Sequence, residues 1–218
     1  MDERPKAIVY VDGLNLYYRL LAKRQGTKWL DLSKLCEVLL PGHRVILIRY
    51  FTSKVKAGST KPDMSIRQDL YLRALATIEP RVSIHFGKMV TRAKWELRHP
   101  LTMDENDQPE KVRILRTEEK GSDVALGSYM VLDASKDLAD LYVLISSDTD
   151  FIPTLELVKT EFATELAVFS PSQNFPAAFL TLKFAISRII REAAVMDSQF
   201  PEFLKDSSGN FSRPSKWS

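Results

Sequence analysis

The sequence predicts a doubly wound α/β domain with a mainly parallel sheet and one inserted antiparallel hairpin or arm. Three observations carry this. Short apolar runs rich in β-branched residues alternate along the chain with amphipathic stretches of helical period. Two of those runs end at aspartates, Asp12 and then Asp148 with Asp150. The alternation is broken once, between residues 88 and 116, where charged and apolar residues follow a period of two. Strands separated by helices at this spacing pair in parallel through right-handed crossovers and leave helices on both faces.

Taken in order, AIVYV at 7 to 11 is the first strand, and the stretch after Asp12-Gly13, with Leu14, Tyr17, Tyr18 and Leu21, is the first helix. VILIRYF at 45 to 51 is the second strand. A helix capped by Asp63 and carrying Ile66, Leu70, Ala74, Leu75 and Ile78 follows, and Pro80 stops it. RVSIHFG at 81 to 87 is the third strand. Beyond it Arg92, Lys94, Glu96 and Arg98 alternate with Ala93, Trp95 and Leu97, then an acidic connector leads to KVRILR, the pattern of the arm. A helix begins near Ser122 with Val124, Leu126, Tyr129, Met130 and Leu132 as its apolar set. LYVLIS at 141 to 146, a helix from 151 to 160 and TELAVFS at 164 to 170 complete the alternation. The domain is expected to span 1–205, and the polar, aperiodic stretch 206–218 to be a flexible tail.

Composition sets the outer bounds. At 218 residues the chain suits one domain, and 44% hydrophobic with 27% charged residues is an ordinary globular balance. No apolar run reaches the roughly 18 residues of a spanning helix, and the start MDERPKAIVYVDG is unlike a signal peptide, so the expected setting is cytoplasmic with no membrane partner. Cys36 is the single cysteine, which excludes an internal disulfide and a multi-cysteine zinc site. His43, His85 and His99 have no metal-ligand spacing, so carboxylates must carry any metal chemistry. An excess of 31 Lys and Arg over 28 Asp and Glu, giving +3, permits a polyanionic partner without demanding one.

In a doubly wound sheet the carboxyl ends of strands form the ligand crevice. Asp12, Asp148 and Asp150 stand at such ends, and Asp123, at a helix start after Lys120-Gly121-Ser122, points toward the same edge. Each could simply cap a helix, since Asp favours N-caps. Capping alone leaves the crowding of Asp148 and Asp150 in one turn without a reason. Four carboxylates in one pocket repel and raise one another's pKa unless a cation neutralises them. Mg²⁺ or Mn²⁺ prefers such oxygen ligands and retains waters, which points to metal-assisted phosphodiester hydrolysis.

Three blocks, IVYVDGLNLYY at 8 to 18, EKGSDVALGSYMVLDA at 119 to 134 and LYVLISSDTDFIPTLELV at 141 to 158, resemble the NYN domain family, a LabA-like branch of the PIN-like nuclease superfamily. The resemblance spans roughly residues 6 to 170 and extends through Pro201. It implies that Asp12, Asp123, Asp148 and Asp150 bind Mg²⁺ or Mn²⁺, that Asn15, with Ser147 nearby, supports the pocket, and that RNA is the substrate. Several members of the family have no demonstrated activity. The basic segment 88 to 116 is longer than in the plainest family pattern, and the resemblance implies no function for it.

Lys54, Lys56 and Arg67 after the second strand, and Arg92, Lys94 and Lys120 about the arm, are the candidate RNA contacts, with Tyr17, Tyr18 or Trp95 available to stack bases. Long basic side chains equally solvate ordinary surfaces, and the arm could equally make a homodimer. A haloacid-dehalogenase-like phosphatase would need Asp-x-Asp where the chain has Asp12-Gly13-Leu14, and no GxGxxG follows the first strand to hold a dinucleotide. A non-catalytic RNA-binding or regulatory scaffold with the same pocket is the remaining alternative.

Overall fold

A computed structural model describes residues 3–55, 63–78 and 82–217. Its seven-stranded sheet has the order β4-β3-β2-β1-β5-β6-β7. The strands are β1 Lys6–Asp12, β2 Arg44–Ser53, β3 Val82–Leu97, β4 Lys111–Lys120, β5 Leu141–Ile145, β6 Glu165–Ser170 and β7 Ile186–Ile189. All neighbours pair in parallel except β3 and β4. The chain winds outward from β1 through β2 and β3, then returns to lay β5 on the other side of β1. That reversal opens the crevice at the carboxyl ends of β1 and β5.

Every residue of β1 from Ala7 to Asp12 is buried, as expected of a central parallel strand covered on both faces. Ala7, Val9 and Val11 enter one core with Trp29, Leu35, Tyr50 and Leu75. Ile8 and Tyr10 enter the other with Leu126, Met130 and Leu155, contributed by α4 (Ser122–Ser135) and α5 (Ile152–Phe162). The period of two therefore places Asp12 on the side of α4.

Helix α4 is pinned by a buried polar knot. Asp133, only 1% exposed, accepts from the Tyr10 hydroxyl at 2.6 Å and from Arg49 Nε and Nη2 at 2.7 and 2.8 Å. A buried carboxylate is tolerable only when its oxygens are satisfied in this way, and the bidentate guanidinium also fixes direction. Burial, then Asp133, holds the Tyr10 hydroxyl far above its usual pKa, so it stays a donor. The knot ties the helix that carries Asp123 to β1 and β2.

The expected strands all form, with instructive differences elsewhere. The third strand does not stop at 87: β3 runs unbroken to Leu97, so the arm is the continuation of a sheet strand, with β4 as its antiparallel partner. The first helix is short, α1 Gly13–Leu16, and continues as a π-helical turn over Tyr17–Leu21. Helix α2, Leu32–Leu39, is an unexpected element, capped by Asp31 through Ser33 and Lys34 N–H. In α3, Met64–Ala76, Asp63 sits at the N-cap but makes no cap bond and pairs with Arg67 and Lys216 instead. Pro80, its expected stop, lies outside the described residues. Of the apolar set of α4, Val124 and Leu132 are 74% and 44% exposed, because they line a groove toward α5 instead of the core.

The expectation of a flexible tail from 206 is overturned. The proposed boundary falls inside β8, Phe203–Asp206, which pairs with β9, Gly209–Ser212, and a 3₁₀ turn at Ser215–Trp217 follows. α6, Glu192–Asp197, leads into this closing segment. Tertiary packing orders it: Phe211 and Trp217 sit with ring centroids 6.4 and 6.2 Å from fully buried Trp29, whose indole N–H donates to Pro201 O at 2.8 Å. Arg73 clasps Asp206 at 2.6 and 2.7 Å and lies 4.1 Å over Phe211. Trp217→Ala is expected to lower the unfolding free energy by about 3 kcal/mol, the scale for truncating a buried aromatic. A chemical denaturation curve reads this directly, and an unchanged midpoint would contradict the packing role.

Candidate carboxylate site

Asp12 closes β1 and opens α1, so one residue both ends a strand and caps a helix. Its Oδ1 accepts from Asn15 N–H and its Oδ2 from the Ser146 hydroxyl, each at 3.0 Å. The turn is close: a Cβ on Gly13 would lie 2.5 Å from the Tyr50 ring, so a larger residue there would push the Asp12 turn off the sheet. Across the crevice, Asn15 Oδ1 accepts from Ser147 N–H and hydroxyl at 3.0 and 2.9 Å. Asp148 N–H donates to Ser146 Oγ at 3.0 Å, and Asp148 in turn caps the following 3₁₀ turn through Asp150 N–H. The β1 and β5 loops are thus stitched together by Asn15, Ser146 and Ser147.

Asp123 reaches the crevice from α4. Gly121 holds φ +98° immediately before the helix, a left-handed conformation that turns the chain from β4 into α4. Asp12, Asp123 and Asp148 line one cleft of about 400 Å³ together with Leu14, Asn15, Tyr18, Arg19, Glu119 and Ser122. Asp150 lies on the adjoining groove, which also touches Asp123. Among the described residues no three acidic or imidazole side chains are packed as a ready-made coordination shell. Nor, among those residues, does any Lys or Arg form an ion pair with these four aspartates.

The electrostatics follow from that arrangement. Burial first, then the charges of Asp123 and Asp148, push the Asp12 carboxyl up to about 6 against the pull of its two hydrogen bonds. Asp123 is also raised, by partial desolvation and then by Glu119, Asp148 and Asp150.

Two charged cleft residues escaped the sequence reading as site members. Glu119 accepts from Ser122 N–H at 3.1 Å and lies against Gly87, where a Cβ would meet its carboxylate. Arg19 is an exposed cation in the cleft wall, one helical turn beyond Asn15, a spacing that could have marked it.

The expected basic contacts are less free. Lys54 reaches Asp69 at 3.5 Å, Arg67 pairs with Asp63, and Lys94 and Lys120 both hold Glu118 at 3.0 Å. Arg92 is exposed, and Lys56 lies outside the described residues. Beside the acidic cleft, and sharing Leu14 and Tyr18 with it, is an aromatic pocket of about 70 Å³ walled by Tyr17, Tyr50, Tyr71 and Trp217, with Arg67 and Lys28 at its rim.

The fold is similar to the crystal structure of VPA0982, a protein of unknown function from Vibrio parahaemolyticus RIMD 2210633, with a TM-score of 0.55 over 88% of this chain and 96% of that one; at 15% identity the likeness is one of fold alone. In sequence the chain is 29% identical over 210 residues to 6-hydroxy-3-succinoylpyridine 3-monooxygenase HspA of Pseudomonas putida (strain DSM 28022 / S16). That match covers 85% of this chain but 66% of the relative, so the chain spans just under two thirds of its length. No helix among the described residues is long and apolar enough to cross a membrane. The NYN domain matches residues 6–187, most of the chain and all of the carboxylate crevice, and the chain therefore belongs to the NYN domain family, a PIN-like nuclease family.

Proposed function

We propose that this chain is a divalent-metal-dependent ribonuclease that hydrolyses RNA phosphodiesters at the cleft of Asp12, Asp123 and Asp148, with Asp150 beside it. The observation that carries the reading is the gathering of these carboxylates, without a cationic partner among the described residues, at the switch point of the sheet. The donor set is all hard oxygen, and burial, with the repulsion of neighbouring carboxylates, already raises Asp12 and Asp123, which suits Mg²⁺ or Mn²⁺. Carboxylates that share a cleft without forming a closed shell suit an ion that keeps several of its waters. Bound there, such an ion supplies a water of lowered pKa and a counter-charge to the phosphodiester.

The remaining roles belong to the chain itself. Asn15 and Ser146 hold Asp12 in place from either side, and Ser147 ties Asn15 to the β5 loop. Arg19, the cation in the cleft wall, is placed to bind a phosphate oxygen of the substrate. Glu119 and Asp123 keep the α4 side of the cleft negative, so that a metal is retained against competition from the RNA's own phosphates.

A second reading is favoured by the aromatic pocket alone: a small heteroaromatic ring, such as the hydroxypyridine in the relative's name, seated against Tyr50, Tyr71 and Trp217 with a carboxylate on Arg67 or Lys28. Titration of 6-hydroxy-3-succinoylpyridine against tryptophan fluorescence separates the two, since saturable quenching that Tyr71→Ala abolishes would favour this reading.

Purified protein is expected to cut labelled RNA with Mn²⁺ or Mg²⁺ and to stop with chelator. Asp148→Asn is expected to slow cleavage about 100-fold or more, the scale of losing one preorganised charge-stabilising group. Equal cleavage by the variant would remove Asp148 from the site, and binding without turnover by the wild type would favour the scaffold alternative.

Asp12 gives a test that needs no turnover. Its charge is a cost to the metal-free fold, complete above about pH 6 and absent below the ordinary value of 3.8. Asp12→Asn is therefore expected to stabilise the chelated protein by up to roughly 3 kcal/mol at pH 8. Urea unfolding across pH should show that gain shrinking through pH 6 and vanishing near pH 4, while cleavage by the wild type falls over the same acid range. A gain independent of pH would mean that Asp12 is not a strained carboxylate.

A further inference from the structure

The β3–β4 ribbon has two chemically different sides. In an antiparallel pair, residues directly opposite share a face, and the faces alternate along each strand. The register pairs Arg92 with Arg116, Lys94 with Ile114 and Glu96 with Val112 on one side. The other side carries Met89 opposite Glu119, Thr91 opposite Thr117, Ala93 opposite Leu115, Trp95 opposite Arg113 and Leu97 opposite Lys111.

The ion pairs between the two strands are sorted to one of those sides. The ion pairs Lys94–Glu118, Arg116–Glu96, Arg116–Glu118 and Lys120–Glu118 all lie on the first, which also carries Lys88 opposite Lys120, so three of its five cations share its two carboxylates. The second side has a single carboxylate, Glu119, at the end where the ribbon enters the cleft. Lys111 and Arg113 are exposed there and have no ion-pair partner among the described residues. Trp95, directly opposite Arg113, and Leu115, one step nearer the cleft on the same side, are 66% and 79% exposed. An indole in water costs hydrophobic free energy and persists where a ligand covers it.

We propose that this side of the ribbon is a platform for single-stranded RNA that leads the strand into the carboxylate cleft, with Trp95 stacking on a base and Arg113 and Lys111 holding phosphates. The proposal rests on the ribonuclease reading and names its substrate form. An exposed aromatic flanked by unpaired cations is the arrangement that binds single strands without reading sequence. A duplex hides its base faces and offers Trp95 nothing to stack on. From Arg113 to Glu119 is six residues, about 20 Å along a strand, which spans several nucleotides. Lys111 and Arg113, exposed beside Trp95 with no ion-pair partner among the described residues, favour a polyanion over a second copy of the chain, whose equivalent side would bring the same cations together.

The test measures binding apart from cleavage. Fluorescence anisotropy of an unstructured RNA 12-mer is recorded in chelator, where no turnover occurs, for the wild type, Trp95→Ala, the pair Lys111→Ala and Arg113→Ala, and Ile114→Ser on the opposite side. Trp95→Ala is expected to weaken binding about tenfold or more, within the range for one base–aromatic stack. The double variant should flatten the salt dependence of log K by about 1.4, two phosphates on a single strand. Ile114→Ser should stay within about twofold of the wild type. Thermal unfolding of each variant checks that the ribbon's exposed positions leave the fold intact.

Equal binding by Trp95→Ala and the wild type overturns the proposal, as does a duplex that binds as tightly as the single strand. Sedimentation of the same samples covers the rival occupant: a wild-type dimer that Trp95→Ala splits, with RNA affinity unchanged, makes the ribbon a self-association surface and overturns the platform. Cleavage of the 12-mer with Mn²⁺ then separates the two claims. A wild type that binds through this side but never cuts defeats the ribonuclease reading and leaves the platform; a Trp95→Ala variant that binds and cuts like the wild type defeats the platform alone.

Discussion

The pairing of β1 with β5 is the constraint on which the rest of the molecule depends. It is where the sheet reverses its direction of winding, so no connection covers the carboxyl ends of these two strands. The register Val11↔Ile145 brings the end of one strand beside the end of the other, and the residues just beyond, Asp12 and Ser146, meet in a 3.0 Å hydrogen bond. Burial on both faces makes this register unforgiving: a one-residue slip would exchange the Ala7, Val9, Val11 set for Ile8, Tyr10 and Asp12. The carboxylate would then face the wrong core.

Holding acidic groups together at that point requires restraint from several directions. Asp12 is fixed by a helix start and a serine, Asp148 by the turn it caps, and Asp123 by a helix anchored through Asp133 to Arg49 and Tyr10. None of these restraints neutralises the charges, and Asp12 remains raised to about 6. Restraint without neutralisation sets this crevice apart from an ordinary set of helix caps, where each carboxylate is satisfied by its own N–H groups, and it is the arrangement that the proposed cation would complete. Capping and charge crowding are both present here, in the same residues.

The strand that extends the sheet also supplies the arm. Because β3 passes from parallel pairing with β2 to antiparallel pairing with β4 without a break, the ribbon is a continuous extension of the edge that ends at Glu119 and Gly121 and delivers Asp123. A surface on the ribbon and a carboxylate in the cleft are therefore positioned by one continuous stretch of hydrogen-bonded backbone. On the opposite side of the sheet the Trp29 cluster draws in the last residues of the chain, and Trp217 there forms part of the aromatic pocket beside the cleft.

Local pattern was enough to reveal the parallel strands, the interrupting arm and the positions of Asp12, Asp123, Asp148 and Asp150, because period, turn residues and strand ends are properties of neighbouring residues. The missed α2 had a legible cap at Asp31, and the turn between β8 and β9 a legible Gly209. What no local pattern contained was whether a polar stretch would find a partner. Phe211 and Trp217 order the C-terminal segment only because Trp29, some 180 residues earlier, presents an aromatic surface to them. Likewise Lys94 and Lys120 looked as free as Lys111 and Arg113 until the register of β3 on β4 placed Glu118 on their side of the ribbon. The sequence by itself determined which residues carry charge and where strands end; only the tertiary structure decided which charges are cancelled, because cancellation depends on distances that chain separation does not encode.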